Sequence, residues 1–153
     1  MKALELLLPP PVVALLSGLL MWLAARLFPS LNNSWSANTL LISLFILLGL
    51  IIGLSGIVAF MRHKTTGNPK RPADASKLVN TGIYRYSRNP MYLGMLFLLV
   101  AWAVQLGNII AILGIGFYIA YMTRFQIMPE EHALQTKFQN EYLTYKKQVR
   151  RWL

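Results

Sequence analysis

The chain has 153 residues, of which 56% are hydrophobic and only 13% charged, too apolar a balance for an ordinary soluble domain of this size. It contains no cysteine, which excludes disulfides, thiolate nucleophiles and zinc–sulfur sites together. Its net charge of +10 invites a nucleic-acid reading, but the basic residues sort by membrane topology instead.

In chain order, the first apolar run covers about residues 7–28, with Lys2 ahead of it and Arg26 close enough to its end to snorkel. A secretory signal is the alternative. The span-length run, the weak cleavage context Leu23-Ala24-Ala25 and the opening Pro9-Pro10-Pro11 favour an uncleaved anchor. Residues 29–39 carry no lysine or arginine. The second run, 40–61, has no charge at all and is long enough to cross a hydrocarbon core. Its Gly49, Gly53 and Gly56 give small-residue spacing that favours close helix packing, within the chain or between copies.

A basic segment, 62–90, follows. Its first part, Arg62 to Ala75, is rich in turn formers (Thr65-Thr66-Gly67-Asn68-Pro69, then Arg71-Pro72) and predicts an irregular connector. Two further spans are predicted over 91–106 and 109–127, joined as a tight hairpin at Gly107-Asn108. The first of these is short, so it starts earlier, sits in thinned bilayer or is shielded by protein. Pro129-Glu130-Glu131 predicts a fresh helix over 130–150, the two glutamates complementing its dipole. Leu134, Phe138, Tyr142, Tyr145 and Val149 form its apolar stripe, and Lys137, Lys146, Lys147, Arg150 and Arg151 supply the polar side. That helix lies on the membrane or over the loop.

The predicted fold is therefore an all-α integral membrane protein of a single domain, with about four transmembrane helices plus a C-terminal amphipathic helix. Lysine and arginine concentrate in 62–90 and in the tail, and are absent from 29–39 and the hairpin tip. The positive-inside rule then places both termini and the long loop in the cytoplasm. The compact four-span form points to a bacterial inner membrane, with lipid head groups as partners of the basic residues. No nucleic-acid partner is implied. His63 and His132 have no ligand spacing, so no metal site is expected, and neither a Walker loop nor a dinucleotide glycine fingerprint occurs.

The densest segment is Gly82-Ile83-Tyr84-Arg85-Tyr86-Ser87-Arg88-Asn89-Pro90-Met91-Tyr92-Leu93-Gly94, at the mouth of the third span. Asn80-Thr81-Gly82 signals a turn, and Pro90 suits a first helical turn because its missing N–H costs nothing there. Tyr84 and Tyr92 are pocket-lining groups or interfacial belt tyrosines. Arg124, inside the end of the last span, is a functional candidate with the nearby glutamates as partners, or a snorkelling cation.

Taken together, Leu78-Val79-x-x-Gly82-x-Tyr84-x-x-x-Arg88-Asn89-Pro90-x-Tyr92-x-Gly94, then Arg124, Glu130-Glu131-x-x-Leu134, Phe138, Glu141-Tyr142-x-x-Tyr145 and Val149, resemble the isoprenylcysteine carboxyl methyltransferase and phospholipid methyltransferase superfamily. The resemblance covers roughly 76–153, and the first two spans match only in hydrophobic character. It implies an integral-membrane methyltransferase using S-adenosyl-L-methionine, with the cofactor enclosed by the loop and the C-terminal segment. Carried over by position, cofactor contacts fall on Ser76, Lys77, Leu78 and Val79, on Tyr84, and on Asn89, Pro90, Met91 and Tyr92. A family glutamate also binds cofactor, which leaves Glu130 or Glu131, with Glu130 expected to serve catalysis. Arg124 takes the position of an arginine placed near the substrate and is expected to be catalytic and substrate-binding.

Two departures are plain: the family's Arg-His-Pro is here Arg88-Asn89-Pro90, and the spacing from arginine to glutamate is longer than in eukaryotic prenylcysteine enzymes. On chemical grounds, a glutamate suits the donor's ammonium or ribose, and Arg88 or main-chain N–H groups suit its carboxylate. Tyrosine faces suit adenine or the sulfonium. The acceptor expected is hydrophobic or lipid-like. Membrane sterol-type reductases have a similar C-terminal pattern, so an NAD(P)H-dependent reductase is one alternative and a non-catalytic scaffold the other.

Overall fold

The computed structural model describes residues 5–32, 38–63 and 76–153. Most of the connector read from Arg62 to Ala75, including Lys64, Lys70 and Arg71, lies outside the described residues, as do Lys2 and the middle of the 29–39 loop.

The described residues hold five α-helices: α1 Pro10–Leu27, α2 Thr39–Arg62, α3 Pro90–Leu106, α4 Ile112–Tyr121 and α5 Met128–Gln148. Prolines open α1 and α3, where the first N–H groups have no intrahelical acceptor. The Asn38 side chain opens α2 by accepting from the Leu41 N–H at 3.0 Å. At its far end His63 turns its ring back, Nδ1 lying 2.8 Å from the Ala59 carbonyl and Nε2 3.2 Å from the Thr81 hydroxyl. The end of α2 is thus joined to the loop that carries the tyrosines.

Gly107 ends α3 in the left-handed region, at φ 61°, which glycine enters without steric cost. Buried Asn108 then caps the next turn through Ile110 N–H and donates to the Phe28 carbonyl and to Asn32 Oδ1. One amide pins the hairpin tip to the end of α1.

Helix α2 packs mainly on α3, while α1 packs on α3 and α4. The α2–α3 seam is built on glycine. A Cβ on Gly94 would lie 2.6 Å from the Gly49 carbonyl oxygen, and one on Gly49 would meet the Gly94 carbonyl at 2.8 Å. The small residues of α2 thus serve a contact within the chain. Outward faces of α1 and α2 remain apolar, with Leu15, Leu40 and Leu54 exposed. Three helical runs (Pro10–Leu27, Thr39–Arg62 and Ile109–Gln148) are long and apolar enough to cross a membrane, and α3 is a shorter apolar helix. This is an all-α integral membrane fold.

The fresh helix start expected at Pro129 does not occur. Helical structure runs on from Ile109 to Gln148, through a π-helical stretch, Met122–Ile127, that joins α4 to α5. Glu130 and Glu131 therefore sit inside a continuing helix, and the dipole of a free N-terminus does not account for them. Pro129 has no N–H to return to the Phe125 carbonyl four residues back. The Leu6 N–H takes that carbonyl instead, at 2.9 Å.

The break comes later, at Gln139 (φ 42°, ψ −116°). That kink turns the second half of α5 over the loop. Buried Tyr142, Tyr145 and Val149 pack with Leu134, Phe138 and Leu78, so the apolar stripe is spent on the protein rather than on lipid.

Candidate functional site

The site forms where the 76–89 loop, the start of α3, the π stretch and both halves of α5 converge. Gly82–Arg85 makes a short 3₁₀ turn that buries Tyr84. The Tyr84 ring meets Phe60 edge-on at 5.4 Å, and its carbonyl accepts the Tyr145 hydroxyl at 2.7 Å. Val79 is buried in the same cluster beside Ala59. Leu78 faces the α5 stripe, and Lys77 stays exposed at the edge.

One turn into α3, buried Tyr92 donates its hydroxyl to Glu130 Oε1 at 2.6 Å. The amide of Gln126, one helical turn before Glu130, donates to the same oxygen. Tyr118 reaches across from α4 to the Tyr92 carbonyl at 3.1 Å, fixing the backbone beneath the tyrosine. Burial pushes the Glu130 carboxyl up to about 7 against the pull of its two donors, and neighbouring Glu131 adds to the rise. No donor among the described residues is bonded to Oε2.

Glu131 has the opposite environment. Arg88 Nη2 lies 2.7 Å from Oε1, Arg151 binds through Nε and Nη2 at 3.0 and 2.9 Å, and Lys146 Nζ stands at 4.0 Å. Burial raises this carboxyl too, but the Arg151 hydrogen bonds and the Arg88 charge outweigh it and hold the group below its usual range. Arg88 also donates to the carbonyls of Lys146 and Val149, and its buried Nε has no partner among the described residues. Asn89 donates to the Arg151 carbonyl at 2.9 Å. The Arg88-Asn89 pair is thus a tether for the C-terminal tail, a task a side-chain amide performs without an imidazole. Beyond it Trp152 packs against Tyr118 and donates to the Thr123 hydroxyl.

Arg124 does not pair with Glu130 or Glu131. It projects from the π stretch to Glu5, at 3.0 Å, with its side chain 40% exposed. On the other side of Tyr92, a cavity of about 350 Å³ runs between α2, α3 and the start of α1, lined by Pro10, Pro11, Gly53, Met91, Tyr92 and Met95 among others. It is almost wholly apolar. Tyr92 is therefore the junction between this groove and the half-buried carboxylate of Glu130.

Residues 37–141 match the phospholipid methyltransferase family. The chain belongs to that family. It is similar to protein-S-isoprenylcysteine O-methyltransferase B of Arabidopsis thaliana, 29% identical over 138 residues that cover 90% of this chain and 70% of the relative. An uncharacterized protein of Haemophilus influenzae is 49% identical over 63 residues, 41% of this chain and the whole of that relative. No solved structure matches. Membership makes the chain a membrane methyltransferase by family, consistent with apolar spans that converge on one polar cluster.

Tyr84, Arg88, Asn89, Pro90, Tyr92, Glu130 and Glu131 come together in this structure, with Val79 and Leu78 behind them. Arg124 stands apart with Glu5. Sequence reasoning missed Gln126, Arg151, Tyr118 and Glu5. Gln126 precedes Glu130 by four residues, a helical hydrogen-bonding spacing that was available to read. The other three depend on long-range contacts that no local pattern announces. Among the described residues no group of histidine and acidic side chains is placed to hold a metal ion.

Proposed function

We propose that this protein transfers a methyl group from S-adenosyl-L-methionine to a lipophilic acceptor, on a carboxylate or a lipid head group, at the cytoplasmic face of a bacterial inner membrane. The observation that carries the reading is the Tyr92–Glu130 bond, which joins an apolar groove to a buried polar site. The groove takes the hydrocarbon part of an acceptor arriving sideways from the bilayer, and the polar site takes the donor.

The residues present fit the donor's charges. Glu130 Oε2 is open to an ammonium or a ribose hydroxyl, and the buried Nε of Arg88, without a partner among the described residues, marks a place for a carboxylate. Tyr84 and Tyr92 offer π faces to adenine and to the sulfonium. Bound S-adenosyl-L-methionine supplies a methyl already activated by its positive sulfur. What the chain must add is alignment, worth effective molarities of about 10⁵ M or more in well-oriented systems. The Glu131 cluster clamps the tail and loop together, and Tyr118 and Gln126 hold Tyr92 and Glu130. A carboxylate acceptor has no proton to lose. An amine acceptor does, and a carboxyl near pH 7 is suited to take it.

Titration of the detergent-purified protein with S-adenosylmethionine and with NADPH tests the proposal. Binding of the sulfonium that disappears in Tyr92→Ala and Glu130→Ala supports it. Tight NADPH binding without it would replace the methyltransferase with a reductase, and silence with both ligands would leave a scaffold.

A further inference from the structure

The segment before α1 is built into the π stretch at two points. Leu6 N–H supplies the hydrogen bond that Pro129 cannot give to the Phe125 carbonyl, and one residue earlier Glu5 pairs with Arg124. Leu6 takes a left-handed backbone conformation, φ 57°, to do so. That geometry is uncommon for a residue with a branched side chain. Four residues further on, Pro10 and Pro11 form the lip of the apolar groove. The segment 5–9 therefore straps the groove mouth to the cation on the π stretch.

Leu8 anchors the strap on the core, but the polar ties before it are weak. A pair with side chains 40% and 28% exposed is weak, and one backbone hydrogen bond is modest. Among the described residues, Arg124 otherwise overlies the Phe125 ring. Its partner is a carboxylate on the segment that leads directly into the groove wall at Pro10 and Pro11.

We propose that Glu5 is a built-in stand-in for an anionic group of the acceptor. In this state its carboxylate occupies the Arg124 guanidinium. An amphiphile whose chain fills the groove brings its own carboxylate or phosphate to Arg124, displaces Glu5 and releases the strap. Glu5 is then a specificity residue: chain length alone does not open the site, and an anion of sufficient affinity must compete. The inference rests on reading the groove as the acceptor's place.

Two single-chain probes, laurate and dodecyl phosphate, separate a carboxylate from a phosphate source, with uncharged dodecyl maltoside as background detergent. Glu5→Gln should bind one or both about fivefold more tightly than the natural chain, the scale of one half-exposed ion pair. Arg124→Gln should lose that binding. In the unaltered protein, hydrogen exchange at the Leu6 amide should speed up on adding the probe that binds, and this readout stands if either variant fails to fold. Equal affinity in Glu5→Gln and the natural chain, or Leu6 exchange unmoved by a bound probe, overturns the proposal. S-adenosylmethionine binding, measured in parallel, reports on the methyl-transfer reading separately. Its loss with anion competition intact removes the reaction and keeps the strap, and the reverse result removes the strap alone.

Discussion

Glu130 offers the sharpest thermodynamic test, because its carboxyl is raised to about 7 from an ordinary 4.5. The folded state then holds a proton that the unfolded state releases. Where the native form binds more protons, stability falls as pH rises, here across the window from about 4.5 to about 7, and it levels off above that. At about 1.36 kcal/mol per pH unit, the loss between pH 5 and pH 8 is roughly 2–3 kcal/mol. For a chain of this size that is a fall in Tm of about 5–10 °C. Thermal unfolding in detergent, followed by near-UV circular dichroism at half-unit steps of pH, measures it. Glu130→Gln keeps an acceptor oxygen for Tyr92 and Gln126 but cannot ionise, so its Tm should be flat over the window. An equal slope in the natural chain and the variant would refute the assignment of the raised carboxyl to Glu130.

Other outcomes follow from the same contacts. Arg88→Met takes one of the cations from nearly buried Glu131, which keeps Arg151, at a cost of about 2–3 kcal/mol; adding Glu131→Met should restore much of this in denaturant titrations. With Arg88 present, the stabilising contribution of Glu131 holds above its ordinary titration range and is lost as pH falls through its depressed value. Gln139→Gly should stabilise the protein by about 1 kcal/mol, since glycine relieves the positive φ at an exposed kink, and Tm should rise by about 2–4 °C. Gly94→Ala would force α2 from α3 to clear the Gly49 carbonyl, costing about 1–3 kcal/mol by the same melting assay.

Hydrophobic run length made the spans legible, because a bilayer sets a minimum apolar length and the chain must meet it locally. The Gly82–Gly94 segment was visible as a dense basic and aromatic run at the mouth of a span, and the glutamate pair as two adjacent members of only five acidic residues. Where those side chains point was not legible. Glu130 and Glu131 are neighbours of one chemical type, yet one is packed against Tyr92 and Gln126 and the other is ringed by Arg88 and Arg151.

That division depends on the helix continuing through Pro129, and local rules read Pro129 as a start. The π stretch and a hydrogen bond from Leu6, far away in sequence, overrule them. Arg124 likewise was visible as an ionisable group in a span, but its partner came from the other end of the chain. The sequence by itself determined a membrane-embedded helical fold and which residues carry its polarity, because composition and spacing are local properties. Only the tertiary structure decided which carboxylate is open to a ligand, since desolvation and ion pairing depend on which elements close over each oxygen.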